Sequence, residues 1–378
     1  MISIIPATRV EVSLSALRYN LLQFSNILTE PTKILSIIKA NAYGHGLEIA
    51  KALEELVIGF GVVTVEEGVR LRQLGIKKKL IVLGLIENAK DFLAAQEFNL
   101  EVALMDLDNL QSLSTQLPPL AIHIKLNTGL NRLGILPEQL PAFLHTLGNN
   151  PLIRVQGIYS HLADAENPAS FQTKEQLKSF RLALDTNQPL VEKLEKHIAN
   201  SASTLLFPQS HYDYVRVGIS TYGIWPSQET LDAWEYTDKK SHDFQLKPAL
   251  SYRTSIVAIQ EISAGSLIGY AGTYRTRRKS RIATVPIGYY EGVMRTLSNK
   301  GIMLVNGKRA PIIGNVCMNM TMLDVSDIPM ARKHSVVTFI GSDGAETISA
   351  TEQSVFADTI PYLLLSNIPP HIPRIYQE

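Results

Sequence analysis

The chain has 378 residues, 36 Lys+Arg against 35 Asp+Glu for a net charge of +1, 45% hydrophobic residues and one cysteine. That length points to two domains, with one large barrel as the alternative for much of it, and to a sizeable buried core. The charge balance argues against a general affinity for nucleic acid or anionic membrane, and the lone Cys317 excludes an internal disulfide and a Cys-rich zinc site. The longest apolar stretch, Leu80 to Ile86, is far short of the roughly 20 residues a membrane span needs. MISIIPATRV lacks the basic start, apolar middle and cleavage site of a signal peptide, so a cytoplasmic protein is expected.

Residues 10–240 alternate short apolar runs with helical patterns. After Val10 and Val12, Ser13 can cap a helix with apolar positions at Leu17, Leu21 and Phe24. Ile34–Ile38 then reads as a buried strand, and Gly61–Val63 as another. Thr64 and Glu67 form a capping box that starts a helix, which Gly75 can stop. Further strands are expected at Leu80–Leu83, Leu100–Ala103, Ala121–Leu126, Arg154–Tyr159, Glu195–Ile198 and Tyr214–Val217, with helical or capped segments between most of them, such as the one after Asp108. Eight strand–helix units with buried strands fit a parallel (β/α)8 barrel of the TIM type, and a doubly wound open sheet is the competing architecture.

The character changes near residue 240. Tyr236 to Asp243 is polar and linker-like. Beyond it lie strand-like runs at Ser255–Ile259, Leu267–Tyr270, Arg281–Ile287, Ile302–Val305 and Val336–Ile340. Asn306-Gly307, between Ile302–Val305 and Ala310–Ile313, is a strong hairpin signal. Residues 241–378 therefore read as a C-terminal β-rich domain, which a short strand within residues 1–9 can join.

Polar and reactive residues recur at the ends of the expected barrel strands. Lys39 follows Ile38, with Tyr43 close behind. Lys125 leads to Asn127, Thr128 and Arg132. Tyr159 leads to Ser160-His161, and His197 to Asn200-Ser201. Arg216 lies inside an apolar strand that ends at Gly218. In a parallel barrel these ends share one rim, where such folds place their chemistry. Singly, each has a plain structural reading: a lysine terminator, a packed histidine, a packing tyrosine. Arg216 is harder to explain that way, because a buried guanidinium needs partners. There is no Walker A sequence and no HExxH, and Gly59-Phe60-Gly61 lacks the third glycine of a dinucleotide fingerprint.

At these residues the chain resembles alanine racemase, a family dependent on pyridoxal 5′-phosphate. Ile38-Lys39-Ala-Asn-Ala-Tyr43-Gly-His-Gly46 is similar to the family's cofactor-lysine signature. Lys125 to Gly134, Ser160-His161, Ala199 to Ala202, Val215 to Ile219, Gly269-Tyr270 and Val316 to Met318 match in the family's order. The resemblance implies a barrel followed by a β domain, and an enzyme that interconverts L- and D-alanine for peptidoglycan.

By the same resemblance, Lys39 bonds the cofactor aldehyde, and Lys39 and Tyr270 are the two bases, working on opposite faces of the substrate carbon. Arg216 faces the pyridine nitrogen, with His161 in the same network. Tyr43, Ser201, Tyr362 and the N–H groups of Gly218 and Ile219 hold the phosphate. Arg132 and Met318 hold the substrate carboxylate, and Lys125 matches a lysine that is carbamylated in many members. Tyr270 and Met318 come from a partner chain, which implies a homodimer with composite sites. No metal, nucleic acid or membrane partner is implied.

Several positions depart from the family pattern: Asn315 for arginine, Asn319 and Glu166 each for aspartate, Tyr290-Glu291-Gly292 for an Ala-Asp-Gly run, Ala271 for glycine and Leu363 for glutamate. They bear on substrate breadth more than on reaction type. A racemase of serine or other small amino acids is the alternative reading, and a cofactor carrier without turnover is a further one.

Overall fold

The computed structural model describes residues 6–108, 110–236 and 244–378. Residues 237–243 of the expected linker and 1–5 of the expected N-terminal strand lie outside them. The chain divides into two compact units: residues 16–42 with 47–247, and residues up to 15 with 43–46 and 248–378. β1 (Arg9–Ser13) belongs to the second unit.

The first unit is the barrel. Its strands are β2 (Lys33–Ile37), β3 (Gly59–Val62), β4 (Lys79–Val82), β5 (Glu101–Leu104), β6 (Leu120–Lys125), β7 (Ile153–Tyr159), β8 (Glu195–His197) and β9 (Tyr214–Val217). Each starts and ends within two residues of the expected run. Neighbours from β2 to β8 pair in parallel in chain order, and β9 pairs with β2. Asp213 N donates to Lys196 O at 3.0 Å and Arg216 N to Ala199 O at 3.1 Å, so β8 and β9 also meet. The ring is closed, and the open doubly wound sheet, with its two free edges, is excluded.

Local chemistry sets the helix starts. Thr64 and Glu67 form the expected reciprocal capping box, and Asn88, Ser170, Asn200 and Ser227 each accept from a first-turn backbone N–H. Each such cap is worth about 1 kcal/mol. Gly75, at φ +85°, lies just past the end of Val65–Gln73. Among the described residues, the segment after Asp108 forms a single 3-10 turn, Leu110–Ser112, and no longer helix.

The second unit is β-rich. β1 runs antiparallel to Leu250–Ser255 and parallel to Arg374–Gln377 in a sheet that also holds Val336–Asp343, Ile302–Val305 and Lys308–Pro311. A second sheet joins Ala258–Ile262, Ser280–Val285 and Thr321–Asp324. Asn306 and Gly307 have φ of 49° and 70°, the left-handed pair of a tight hairpin. The expected run Ser255–Ile259 is instead divided: Ser255 ends a strand of one sheet and Ala258 begins a strand of the other. Leu267–Tyr270 stops at Ile268, because Gly269 turns at φ +69° and Tyr270 opens a 3-10 turn. Among the described residues no helix is long and apolar enough to cross a membrane.

Candidate active site

The C-terminal ends of the barrel strands carry the polar groups. Lys39 follows Ile38, one residue past the end of β2, and the residues after it are wound the unusual way. Ala40, Asn41 and Ala42 all have φ of 53°, and Tyr43 has φ of 50°. For L residues this costs roughly 1–2 kcal/mol each, so the turn needs outside support. Ala42 N donates to Ile38 O at 2.9 Å. Glu67 Oε1 accepts from Ala40 N at 2.6 Å and from Asn41 N at 3.4 Å, while Oε2 accepts from Val63 N at 2.9 Å. Glu67, read from the sequence only as a helix cap, therefore also holds the lysine's turn. Burial lowers the Lys39 pKa, the Arg132 charge lowers it further, and Glu67 opposes both.

Arg216 is 3% exposed. Its Nη1 donates to His197 Nδ1 at 2.9 Å, and its Nη2 to Ser160 O at 2.8 Å, Ile198 O at 3.0 Å and His161 Nδ1 at 3.1 Å. A guanidinium only donates, so both imidazole nitrogens facing it must accept. His161 and His197 are thereby assigned as neutral, with their protons at Nε2. Burial and then the Arg216 charge lower both histidine pKa values well below the ordinary range. Burial draws Arg216 itself down to about 10, still cationic at neutral pH. Tyr159 stacks flat on His197 with centroids 4.8 Å apart, and the Arg216 guanidinium lies 5.4 Å from the Tyr159 ring centre.

Lys125, the last residue of β6, is buried, and its pKa falls to about 8 through burial and the charges of Arg132, Arg216 and Lys39. Its Nζ lies 5.6 Å from the Tyr159 ring centre. Arg132 stands exposed in the loop that follows. Asn127 shapes that loop by accepting from Gly129 N and Asn131 N.

Ser201 opens a short helix capped by Asn200, and its Oγ accepts from Gly218 N at 2.9 Å. Ile219 begins the 3-10 turn Ile219–Tyr222. A hydroxyl and backbone N–H groups at strand ends suit phosphate oxygens. The barrel unit thus brings Lys39, Lys125, Arg132, His161, Ser201, Arg216, Gly218 and Ile219 to one rim. This donor set fits a planar, phosphate-bearing aldehyde with a ring nitrogen. An amine of lowered pKa is there for the aldehyde. The Arg216 bonds above engage Nη1 and Nη2, so the Nε–H suits a ring acceptor.

The remaining expected residues lie in the second unit. Tyr43 and Tyr362 have ring centroids 6.2 Å apart, and burial raises the Tyr43 pKa. Tyr270 and Met318 are 73% and 56% exposed and line a cavity of about 590 Å3 with Tyr289, Arg295, Asn315, Val316 and Cys317. The departures from the family pattern have local partners. Asn315 Nδ2 donates to Tyr270 O at 2.9 Å, and Asn319 Nδ2 to Glu291 Oε1 at 2.7 Å. Asn315 and Asn319 are thus accommodated separately, each by hydrogen bonding. In the barrel unit, burial raises the Glu166 pKa.

The descriptions "Alanine racemase, N-terminal domain" and "Alanine racemase, C-terminal domain" match residues 12–226 and 249–376. This chain belongs to the alanine racemase family. The alanine racemase of Leptospira interrogans serovar Lai is 40% identical over 373 residues, covering 97% of this chain and 95% of that one. That of Halothermothrix orenii is 36% identical, covering 98% and 97%. The crystal structure of the Bacillus anthracis alanine racemase with bound L-Ala-P is similar with TM-score 0.89 and 33% identity, covering 99% of this chain and 96% of that one. As in these alanine racemase structures, the chain folds as a TIM-like barrel with a separate β-rich C-terminal domain.

Proposed function

We propose that the chain interconverts L-alanine and D-alanine with pyridoxal 5′-phosphate, using Lys39 and Tyr270 as its two bases, and so supplies D-alanine for peptidoglycan. The observation that carries this reading is Arg216, a buried cation whose neighbours on the rim are two neutral imidazoles and two carbonyls. That arrangement suits a ring nitrogen that must accept and not donate.

When bound, the cofactor supplies a conjugated ring that takes up electron density from the substrate Cα as its proton leaves. Lys39 Nζ, with its lowered pKa, holds or releases a proton on one face of that carbon. The Tyr270 hydroxyl does the same on the other face, so a proton leaves one side and another arrives opposite. His161 carries its proton at Nε2, where it can donate to a phenolate oxygen and ease the ionisation of Tyr270. Arg216 would meet the ring nitrogen as a donor and so would keep it from taking a proton, which would limit side reactions. Arg132 and the backbone of Met318 hold the substrate carboxylate. Tyr43, Ser201, Tyr362, Gly218 and Ile219 hold the phosphate.

Tyr270 and Met318 are exposed on their own unit, which favours a head-to-tail homodimer in which a second copy provides them. The test is solvent deuterium exchange at Cα of both alanine enantiomers, with L-serine and L-lysine alongside. Exchange and inversion of alanine above the others supports the reading. Faster turnover of serine favours the broader racemase, and cofactor binding without exchange favours a carrier.

A further inference from the structure

Inside the barrel, a buried polar chain continues from Arg216 toward the N-terminal ends of the strands. His197 Nε2 lies 3.1 Å from His123 Nδ1, and His123 Nε2 lies 2.6 Å from Glu101 Oε2. Both imidazoles are fully buried. Burial raises the Glu101 carboxyl pKa, but the hydrogen bond from His123 and the charge and hydrogen bond of Lys79 oppose it, and the group is held below its ordinary value. Lys79 sits between Glu101 and Glu195 and pairs with both, so the carboxylates already have a cation.

The strands make room for this chain. A Cβ at Gly157 would lie 2.3 Å from His123 Nδ1 and 2.8 Å from Glu195 O. The β6–β7 ladder has a register shift between Ile122 and His123 that leaves Gln156 unpaired, and Gln156 Nε2 donates to Glu195 Oε1 at 3.0 Å. A bulge of this kind re-aims side chains, here toward the interior network.

The chain has a fixed direction. Arg216 can only donate and an ionised carboxylate can only accept. Between them stand two neutral imidazoles, each with one donor and one acceptor. Three hydrogen bonds therefore use three protons in one arrangement: Arg216 to His197 Nδ1, His197 Nε2–H to His123 Nδ1, and His123 Nε2–H to Glu101. A further proton on either ring would set two donors face to face. None of the four hydrogen-bond acceptors of Arg216 is a carboxylate, so Glu101 is the anion its hydrogen bonds lead to.

We propose that Glu101 is a positioning residue for Arg216: it accepts the last proton of a chain whose direction Arg216 sets, so holding the His123 and His197 rings in place, and serves as the guanidinium's remote counter-charge. Its bearing on catalysis rests on the racemase reading above, whereas the direction of the chain does not. The logic is that of a carboxylate holding a histidine's orientation beside a catalytic group.

The test is 15N NMR of the histidines in the cofactor-free protein, with kinetics of the cofactor-loaded enzyme beside it. In the native chain both His123 and His197 should carry the proton at Nε2 alone. Any other tautomer there overturns the proposal before a variant is made. Glu101→Leu should keep the His197 proton at Nε2, which Arg216 requires, but leave His123 Nε2–H without its acceptor, shift both ring signals and lower kcat on the order of tenfold with little change in KM, less than a directly bonded triad carboxylate costs. Glu101→Gln, whose amide oxygen can still accept from His123, should restore the native ring signals and most of kcat. An unchanged His197 signal in Glu101→Leu, or a Glu101→Gln chain that behaves like it, overturns the proposal. A native chain with the expected tautomers but no alanine inversion overturns the racemase reading instead.

Discussion

The Glu67 carboxylate meets the backbone N–H of Ala40 at 2.6 Å, tying the first turn of a barrel helix to the left-handed segment beside Lys39. The same side chain serves Asn41, Val63 and the helix cap, so its loss is felt in three stretches of chain at once. A hydrogen bond to a charged group is worth about 1.5–3 kcal/mol when shielded. Ala40 is exposed, so water can replace part of it. Glu67→Ala is therefore expected to lower unfolding free energy in urea by about 1 kcal/mol and to weaken cofactor binding in titrations. Glu67→Gln should do less of both.

In the proposed role Lys39 would attack an aldehyde only as the neutral amine. Its lowered pKa means that the neutral fraction appears at lower pH than for a free lysine. The rate of cofactor capture by the cofactor-free protein should rise with pH to a midpoint below about 10.4. Arg132→Leu removes a nearby positive charge and should move that midpoint upward. A midpoint at the free-lysine value, unmoved by the substitution, would count against the assignment of Lys39. Lys39→Ala should show no cofactor-derived absorbance band.

Lys125, with its pKa at about 8, offers a substantial fraction of neutral amine near neutral pH, the form that reacts with carbon dioxide. Intact-protein mass measured at neutral pH in bicarbonate should show one added carbon dioxide, which is lost in Lys125→Gln. The unmodified amine also makes a linkage prediction. Its folded pKa lies below the unfolded value, so the unfolded chain binds more protons between pH 8 and 10.5. Stability of the carbon-dioxide-free protein should therefore gain a contribution as pH rises through that window, and Lys125→Gln should lack it.

Composite sites can be tested by mixing defects. Lys39→Ala and Tyr270→Phe homodimers should each be nearly inactive. Co-expressed and reassorted, half the molecules become heterodimers with one intact site of two, which gives about a quarter of native activity. No recovery would show that both bases act within one copy.

The neighbours of Arg216 make a substitution to an acid severe. A carboxylate at 216 would face the carbonyls of Ser160 and Ile198 and the accepting nitrogens of His161 and His197. Arg216→Glu should lose about 3–5 kcal/mol of stability, unless protons enter at the histidines or the cofactor ring. Loaded protein that survives should show altered intermediate spectra and a larger share of transamination. Unchanged spectra and product ratios would remove Arg216 from the proposed role.

The barrel was legible because its strands are short, nearly continuous apolar runs, and because lysine, histidine, serine and arginine recur at their ends. The division at Ser255–Ile259 was not legible, since an apolar run carries no mark of where one sheet hands over to another. The Glu101–His123–His197–Arg216 chain was also hidden. Its members are separated by 22, 74 and 19 positions, and no local pattern says which strand starts meet inside a ring. A signal did exist. Inward positions of period two carry His123 and Lys125, Glu195 and His197, and Tyr214 and Arg216, more polar residues than a packed barrel wall needs. Glu67 was found, but its cap role masked its second one.

The left-handed segment at Ala40 to Ala42 has a chemical consequence. Ribosomal amino acids are wound there in the sense that suits their enantiomers. A semisynthetic chain bearing D-alanine at 40 and 42 would relax into that shape unaided, and would tolerate loss of Glu67 better than the natural polymer does.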